Sequence, residues 1–196
     1  MMKFERPPEP PEFDAEVRQP GNQWLGENPD KKQLKDYWSA CKPQLAEGFH
    51  NLCGYAAMRI PSRNGTVDHY LTKSKKEFRQ LAYEWTNYRY SFGRINSCKL
   101  TYDTKILDPF EVEDDWFQIL LPSLQLVLTN AISTEYLRIK AEFTLKQLQL
   151  QNGDWIIEER QYYYDAYQSG EITLSKLEKD APLIARAVKK QQSRLR

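Results

Sequence analysis

Hydrophobic and polar positions divide the chain into three stretches with different periodicity. Residues 1–30 have no periodic pattern and are rich in proline, glycine and glutamate, which is typical of an extended or a disordered arm. Residues 31–105 combine a helical pattern with short strand signals, and residues 106–196 are mostly helical. We therefore predict an α+β fold in which a central unit carries an N-terminal arm and a C-terminal extension. The apolar residues of the arm are Phe4, Phe13 and Trp24.

An apolar face at three- and four-residue spacing follows Asp30 and predicts a helix that begins at this residue. Its members are Leu34, Tyr37, Trp38, Cys41 and Leu45. Pro43 interrupts the face and is expected to break the helix in two, because proline has no N–H to donate and clashes with the preceding turn.

Strand signals dominate the middle of the central unit. Residues 57–60 and 66–70 predict two short strands, and Asn64-Gly65 between them is a strong signal for a hairpin turn. Residues 85–98 predict a helix, although a glycine within them lowers its propensity. The order strand, turn, strand, loop and helix is that of a ββα unit.

The C-terminal extension begins with a second strand signal. Residues 117–121 and 124–129 predict a β-hairpin whose strands are separated by Pro122 and Ser123. A helical pattern then continues to the end of the chain. The predicted first residues of three helices are Ser133, Asp154 and Asp180.

The composition fits a protein with a packed core, since 40% of the 196 residues are hydrophobic and 13% are aromatic. The net charge of +1 gives no sign of a polyanionic partner. Residues 59–105 nevertheless hold ten basic and four acidic residues, which favours contacts with phosphate groups in this segment. The tyrosines among them would either stack on bases or fill the core. The candidates for nucleic-acid contacts are Lys73, Lys75, Lys76, Arg89, Arg94 and Lys99.

Two further features indicate where the protein works. No apolar run approaches the roughly 20 residues that span a bilayer, and the first residues contain no apolar signal segment. Cys41, Cys53 and Cys98 have no framework spacing, which favours free thiols in a reducing compartment. We therefore expect a soluble, cytoplasmic protein that makes no membrane contact.

The adjacent residues Asp68 and His69, at the end of a predicted strand, are the first candidates for catalysis. An imidazole with an ordinary pKa of about 6.5 can accept a proton from water near neutrality, and a carboxylate can hold a divalent cation. Because successive strand residues point to opposite faces, the pair can divide into a metal ligand and a base. A surface pair without function is the alternative, since this dipeptide often occurs by chance.

The residues that follow strengthen the catalytic interpretation. Asn96 lies nine residues after Asn87 and three before Lys99, and on a helix Asn96 and Lys99 share a face. The strings V-D-H-Y-L-T-K-S-K and N-x8-N-x2-K together resemble the two motifs of HNH (ββα-metal) nucleases. The first motif is commonly D-H-hydrophobic-hydrophobic-P-x-S, and Thr72 stands at its proline position. The resemblance covers residues 53–99 and implies a ββα-metal core that hydrolyses phosphodiester bonds, in DNA above all.

The resemblance implies a role for each matched residue. His69 would be the general base that activates water, and Asp68 and Asn96 would bind one Mg²⁺ or Mn²⁺ ion. Asn87 would fix the loop between strand and helix and so orient the histidine. Lys99 would either contact a phosphate or remain a solvated helix residue.

Many HNH nucleases hold a structural zinc ion through two Cys-x-x-Cys pairs. The corresponding segments in this chain are Cys53-Gly-Tyr-Ala56 and Phe92-Gly-Arg-Ile95. A single remaining thiolate cannot hold structural zinc, so we expect none. Ala56, Phe92 and Ile95 are expected to fill the space with apolar contacts instead.

The flanking strings Y-E-W-x-N-Y-R and L-D-P-F resemble the small HNH subunit of Septu-type and retron-linked anti-phage systems. This finer resemblance implies an ABC-type ATPase partner that controls the nuclease, with the arm and the C-terminal helices as docking surfaces. Two alternatives are a stand-alone restriction-type HNH nuclease and a non-catalytic nucleic-acid-binding or assembly subunit on an HNH scaffold. The lost zinc ligands favour the non-catalytic alternative, whereas the retained Asp68, His69 and Asn96 favour catalysis.

Overall fold

The computed structural model describes residues 1–61 and 64–194. At the N-terminus, residues 1–10 have no regular structure, and a π-helical turn, Asp14–Arg18, leads into helix α1, Gln19–Glu27. The second half of the predicted extended arm is therefore helical. One of its two glycines, Gly21, allows α1 to pack directly on the ring of Tyr83, because a Cβ at this position would lie 2.2 Å from that ring.

The helix predicted from Asp30 begins later than expected. Residues 31–37 are not helical, and a 3-10 turn, Trp38–Cys41, precedes helix α2, Lys42–Gly48. Pro43 lies in the first turn of α2, where the N–H that proline lacks has no partner in the helix. The proline therefore begins this helix instead of breaking it.

The centre of the molecule is an antiparallel strand pair followed by a helix. Strand β1, Gly65–His69, pairs with strand β2, Tyr88–Phe92, so that His69 lies opposite Tyr88. A long loop with two 3-10 turns connects the strands. Helix α3, Gly93–Lys99, follows β2 directly. The unit therefore contains two strands and a helix, but a long loop joins the strands where the sequence predicts a turn, and the helix follows β2 without the predicted loop.

The strands of this unit differ from the predicted ones. Residues 57–60 form no strand and contribute only an isolated bridge between Leu52 and Arg59. The turn predicted at Asn64-Gly65 follows residues 62 and 63, which lie outside the described residues, and β1 pairs with β2 rather than with residues 57–60.

The helix predicted over residues 85–98 is wrong in its first half. A 3-10 turn, Trp85–Asn87, precedes β2, and only the last seven residues before Leu100 are helical. Every residue of β2 is buried, including the polar Arg89 and Ser91, which alternate with the aromatic residues. Its three aromatic residues favour a strand and fit this buried position.

The C-terminal extension contains the predicted hairpin and an additional helix. Strand β3, Phe117–Ile119, pairs antiparallel with strand β4, Leu126–Leu128. The helices are α4 (Glu135–Gln147), α5 (Asp154–Gln168), α6 (Leu174–Asp180) and α7 (Pro182–Arg194). The sequence did not predict α6, whose seven residues are too few for a clear helical period.

A common apolar core joins the arm, the central unit and the C-terminal helices. Phe4 and Phe13 are buried in it, as expected of apolar anchors in the arm. Ala56, Phe92 and Ile95 are buried in the same core, as expected for these three apolar side chains. Among the residues that the structure describes, no helix is long and apolar enough to cross a membrane.

Candidate active site

The site predicted from the sequence lies at the end of β1, where the two candidate side chains point to opposite faces of the strand. Asp68 shares its face with Thr66, and His69 shares the other face with Val67. Both candidates are buried, with exposed fractions of 1% for Asp68 and 4% for His69. Each side chain therefore interacts with protein groups rather than with solvent.

Both carboxylate oxygens of Asp68 are engaged. The hydroxyl of Tyr55 donates a hydrogen bond to Oδ2 at 2.6 Å, and the Lys99 ammonium lies 3.1 Å from Oδ1. Lys99 also donates to the backbone carbonyl of His69 at 2.7 Å and is only 1% exposed. Burial and the neighbouring carboxylate hold the pKa of Tyr55 well above its ordinary value, so this hydroxyl remains a donor. The charge of Asp68 is thus balanced inside the protein.

Tyr55 lies in a tight turn that begins at Cys53. The backbone N–H of Gly54 donates to the carbonyl of Tyr90 at 2.9 Å, and the N–H of Ala57 donates to Cys53 at 2.8 Å. The Cys53 thiol accepts a long hydrogen bond from the Ala56 N–H at 3.4 Å, and burial raises the pKa of this thiol. The tight turn is therefore closed by one internal backbone hydrogen bond and held to β2 by another, and it places Tyr55 on the Asp68 face.

The hydrogen bonds of His69 identify its tautomer. Nε2 lies 2.9 Å from the carbonyl oxygen of Ala82, which can only accept, so Nε2 carries the proton. Nδ1 then carries the lone pair, and the Lys73 ammonium lies 3.3 Å from it. Burial first, and then the charge of Lys73, lower the pKa of His69 to about 3. The imidazole is therefore neutral at physiological pH.

Aromatic rings and one lysine cover the imidazole. The ring of Trp38 meets it edge-on at a centroid distance of 4.8 Å, and the ring of Tyr88 does so at 5.1 Å. The Lys73 ammonium lies over Trp38, 4.6 Å from the ring centroid. Trp38 and Lys73 are half-buried and form the outer wall, so movement of these two side chains is the shortest route from solvent to His69.

Asn87 fixes the loop that connects β1 and β2. Its Oδ1 accepts from the N–H of Leu71 at 2.7 Å, and its Nδ2 donates to the carbonyls of Leu71 and Leu81 at 2.9 and 3.1 Å. Leu81 is adjacent to Ala82, whose carbonyl holds the imidazole of His69. Asn87 therefore holds both ends of this loop, although the loop joins two strands and not a strand and a helix as expected.

Asn96 reaches the same face of β1 as Asp68 but does not contact it through a hydrogen bond. Its Nδ2 donates to the hydroxyl of Thr66 at 3.3 Å, two residues before Asp68. The residue of α3 that contacts Asp68 is instead Lys99. The fold thus brings the two expected metal ligands to one face, with Lys99 on the carboxylate.

The six expected nucleic-acid contacts divide into buried and accessible residues. Arg89 is 2% exposed and forms a two-point ion pair with Asp108, with donor–acceptor distances of 2.7 and 2.5 Å. Lys99 is equally buried. Neither side chain can reach a phosphate in this arrangement, so contacts between these two residues and nucleic acid would require a different arrangement of their ion pairs. The positions of both are fixed by internal carboxylates.

The other four basic residues retain access to solvent. Lys76 and Arg94 are exposed, and the Arg94 guanidinium lies 5.5 Å from the centroid of the Trp155 ring. Lys75 forms an ion pair with the buried Asp103. Lys73 lies beside His69, and Lys75 and Lys76 follow it in the same loop, whereas Arg94 lies near Gly65, at the far end of β1 from His69.

A metal ion does not fit this arrangement. In residues 1–61 and 64–194 no three histidine, cysteine, aspartate or glutamate side chains lie together as a metal site. The expected ligand Asp68 already binds Tyr55 and Lys99, and a divalent cation next to the Lys99 ammonium would be repelled. Asp68 and Asn96 can therefore act as ligands only in a different arrangement of Lys99.

Sequence reasoning missed three participants in the site: Tyr55, Trp38 and the Ala82 carbonyl. Tyr55 lies within the segment compared with a zinc-binding pair, but nothing in that segment indicated a bond to Asp68. Trp38 was assigned to a helical apolar face. The position of the Ala82 carbonyl depends on the path of the loop, so nothing in the sequence predicts its contact with His69.

Comparison with known proteins adds no family assignment. No family model matches the chain, and no curated protein matches it at a significant level. Function is therefore inferred from the site geometry and from the motif resemblance.

Proposed function

We propose that this chain is a nuclease of the HNH type that hydrolyses phosphodiester bonds in nucleic acid, DNA above all, with His69 as the general base. The observation that carries the proposal is the orientation of His69. Its Nε2 is held by the Ala82 carbonyl, so Nδ1 presents a lone pair toward the side where Lys73 and solvent lie. A neutral imidazole held in one tautomer is the form that accepts a proton from water.

The proposed reaction uses groups of this chain in defined roles. Nδ1 of His69 accepts a proton from a water molecule as the water oxygen bonds to phosphorus. One P–O ester bond breaks, and its oxygen takes a proton from solvent, which leaves a hydroxyl end and a phosphomonoester end. Lys73 is placed to contact a non-bridging phosphate oxygen, because its ammonium lies 3.3 Å from Nδ1. Burial is the first cause of the lowered pKa of His69 and the charge of Lys73 the second, and an anion bound there would offset the second.

The role in anti-phage defence and the ABC-type ATPase partner are part of the same proposal. They are supported by the resemblance of the flanking strings and by the closed state of the site, since a nuclease with a covered base needs a signal that opens it. Exposed apolar side chains on α4, Tyr136 and Ile139, offer surface that a partner would cover. The Mg²⁺ or Mn²⁺ ion expected from the resemblance requires Lys99 to leave Asp68.

The second candidate function is a non-catalytic nucleic-acid-binding or assembly subunit. Two observations favour it: the Asp68–Lys99 ion pair and the 4% exposure of His69. If the site never opens, this pair is a structural element and the accessible basic residues alone act on nucleic acid.

A cleavage assay with two histidine variants distinguishes the candidates. Purified protein is incubated with plasmid, linear DNA, single-stranded DNA and RNA, with Mg²⁺ or Mn²⁺, with and without a candidate ATPase. His69→Ala is compared with the wild type. The matched control is His50→Asn, because His50 is exposed and has a φ of 55°, a conformation that asparagine tolerates. Cleavage that is lost only in His69→Ala supports the nuclease, and binding without cleavage under every condition supports the second candidate.

A further inference from the structure

Lys73 is a half-buried lysine whose charge is not balanced by a carboxylate. Among the residues that the structure describes, no aspartate or glutamate forms an ion pair with it, whereas Lys75 in the same loop pairs with Asp103. Burial lowers the pKa of Lys73. Near neutral pH a larger share of this side chain is therefore in the neutral amine form than for an exposed lysine.

The nitrogen of Lys73 lies between an imidazole lone pair and an indole ring. It is 3.3 Å from Nδ1 of His69, which accepts because Nε2 carries the ring proton. It is also 4.6 Å from the centroid of Trp38, whose ring stacks on Tyr83 at 5.8 Å. A desolvated lysine next to a proton acceptor has the surroundings of lysines that attack carbonyl groups and form imines.

The position of Lys73 indicates which carbonyl compound it would meet. The residue belongs to the outer wall of the site, so part of its side chain contacts solvent, and the exposed Lys76 follows in the same loop. Two lysines beside the half-buried Trp38 offer charge for phosphates and an aromatic ring for a base. A nucleotide that has lost its base exposes an aldehyde at C1′ when its sugar ring opens. Nucleic acid as the carrier of this aldehyde rests on the proposed function.

We infer that Lys73 is a nucleophile that forms an imine with the C1′ aldehyde of an abasic nucleotide and cleaves the strand there by elimination. The neutral Nζ adds to the aldehyde carbon, and one water molecule leaves as the C=N bond forms. Nδ1 of His69 then takes a proton from C2′, a C2′–C3′ double bond forms, and the C3′–O bond breaks to release the phosphate-bearing strand. Water hydrolyses the imine and restores the lysine, so the steps use no other co-reactant.

Borohydride trapping on the wild-type chain tests this inference. The protein is incubated in a chelator with a single-stranded oligonucleotide that carries one abasic site, and borohydride reduces the imine to a stable amine link. A tetrahydrofuran analogue of the abasic site, which has no aldehyde, is the control probe. We expect a link only to the aldehyde probe, and peptide mass spectrometry should locate it at Lys73 and not at Lys179, an exposed lysine of α6. No link, or equal linking at both lysines, overturns the inference.

Two variants add a test of the nucleophile itself. Lys73→Arg keeps the positive charge, but its guanidinium stays protonated and does not form imines. Lys179→Met removes an exposed lysine away from the site. We expect Lys73→Arg to lose both the link and the cleavage at the abasic site and to keep its affinity for the oligonucleotide, while Lys179→Met matches the wild type. A link that persists in folded Lys73→Arg contradicts the assignment.

The outcomes separate this inference from the proposed function. Hydrolysis of intact nucleic acid leaves a hydroxyl end, whereas elimination at an abasic site leaves an unsaturated aldehyde. Trapping at Lys73, together with no cleavage of intact nucleic acid by any form, supports the imine and contradicts the nuclease. Cleavage of intact nucleic acid that depends on His69, with no trapping at Lys73, supports the nuclease and contradicts the imine.

Discussion

Replacement of Asn87 by alanine tests how the loop between β1 and β2 positions the candidate base. The asparagine side chain is 5% exposed and makes three hydrogen bonds, to the N–H of Leu71 and to the carbonyls of Leu71 and Leu81. Alanine cannot make any of them, and the N–H of Leu71 would lose its partner in a region with little water. The residue next to Leu81 is Ala82, which holds His69, so the loss extends to the base.

The expected destabilisation follows from these three contacts. A buried hydrogen bond contributes about 1 kcal/mol net, and a buried group left without a partner costs about 1–3 kcal/mol. We therefore expect Asn87→Ala to lower the free energy of unfolding by about 3 kcal/mol. For a chain of this length that corresponds to a melting temperature lower by about 6–12 °C.

Chemical and thermal denaturation measure the loss, and NMR titration of the two histidines measures its effect on His69. Asn152→Ala, at an exposed position, is the control and should change neither the free energy of unfolding nor the pKa of His69. The pKa of His69 should rise from about 3 toward its ordinary value as the loop loosens and water reaches the ring. Stability within about 1 kcal/mol of the wild type would refute the account of the loop. An unchanged His69 titration would refute its link to the base.

Two more predictions concern His69 and Leu100. Because the pKa of folded His69 is about 3 and its ordinary value is 6.5, the unfolded chain takes up a proton first as the pH falls below 6.5. The contribution of His69 to the free energy of unfolding is therefore complete above pH 6.5 and decreases toward pH 3 by up to about 1.4 kcal/mol per pH unit. Denaturation at pH 7 and at pH 5 should show that the free energy of unfolding falls less in His69→Gln than in the wild type. An equal decrease in both proteins would contradict a neutral buried imidazole. Leu100→Gly should raise the free energy of unfolding by about 1 kcal/mol, because glycine adopts the positive φ of this exposed turn without strain. Leu100→Ala serves as the control that keeps the strain, and equal melting temperatures for the glycine and alanine variants would show that no strain is stored there.

Sequence patterns predicted those elements whose signal is local. The hairpin of β3 and β4 was expected from two apolar segments around Pro122-Ser123, and it is present. Helix α4 was expected one or two residues from its actual start, where Thr134 accepts a hydrogen bond from the N–H of Leu137. Helix caps and hydrophobic periodicity depend on residues that are close in sequence, so they can be predicted without knowledge of the fold.

Elements that depend on distant parts of the chain were not predictable in the same way. Strand β2 was predicted as part of a helix although its aromatic and polar residues alternate, and the burial of both its faces depends on tertiary packing. Its partner begins at Gly65, opposite Phe92, which a local pattern cannot indicate. The helical second half of the arm depends on the close approach of Gly21 to Tyr83, a tertiary contact.

In the site, too, only the features that depend on neighbouring residues in the sequence were predictable. The alternation of strand residues correctly placed Asp68 and His69 on opposite faces. The charges of Arg89 and Lys99 predict phosphate contacts, whereas the structure pairs each of them with a buried carboxylate. Burial against Asp108 and Asp68 depends on tertiary packing and leaves no mark on the surrounding sequence.

The most direct test of the central claim is the initial rate of phosphodiester cleavage by wild type and His69→Ala under the condition in which the wild type is most active. A general base typically contributes a factor of about 10²–10⁴ to the rate. The account predicts that His69→Ala loses at least about a hundredfold in rate and keeps its affinity for nucleic acid, while His50→Asn keeps both. Cleavage by His69→Ala at the wild-type rate would contradict the assignment of His69 as the base.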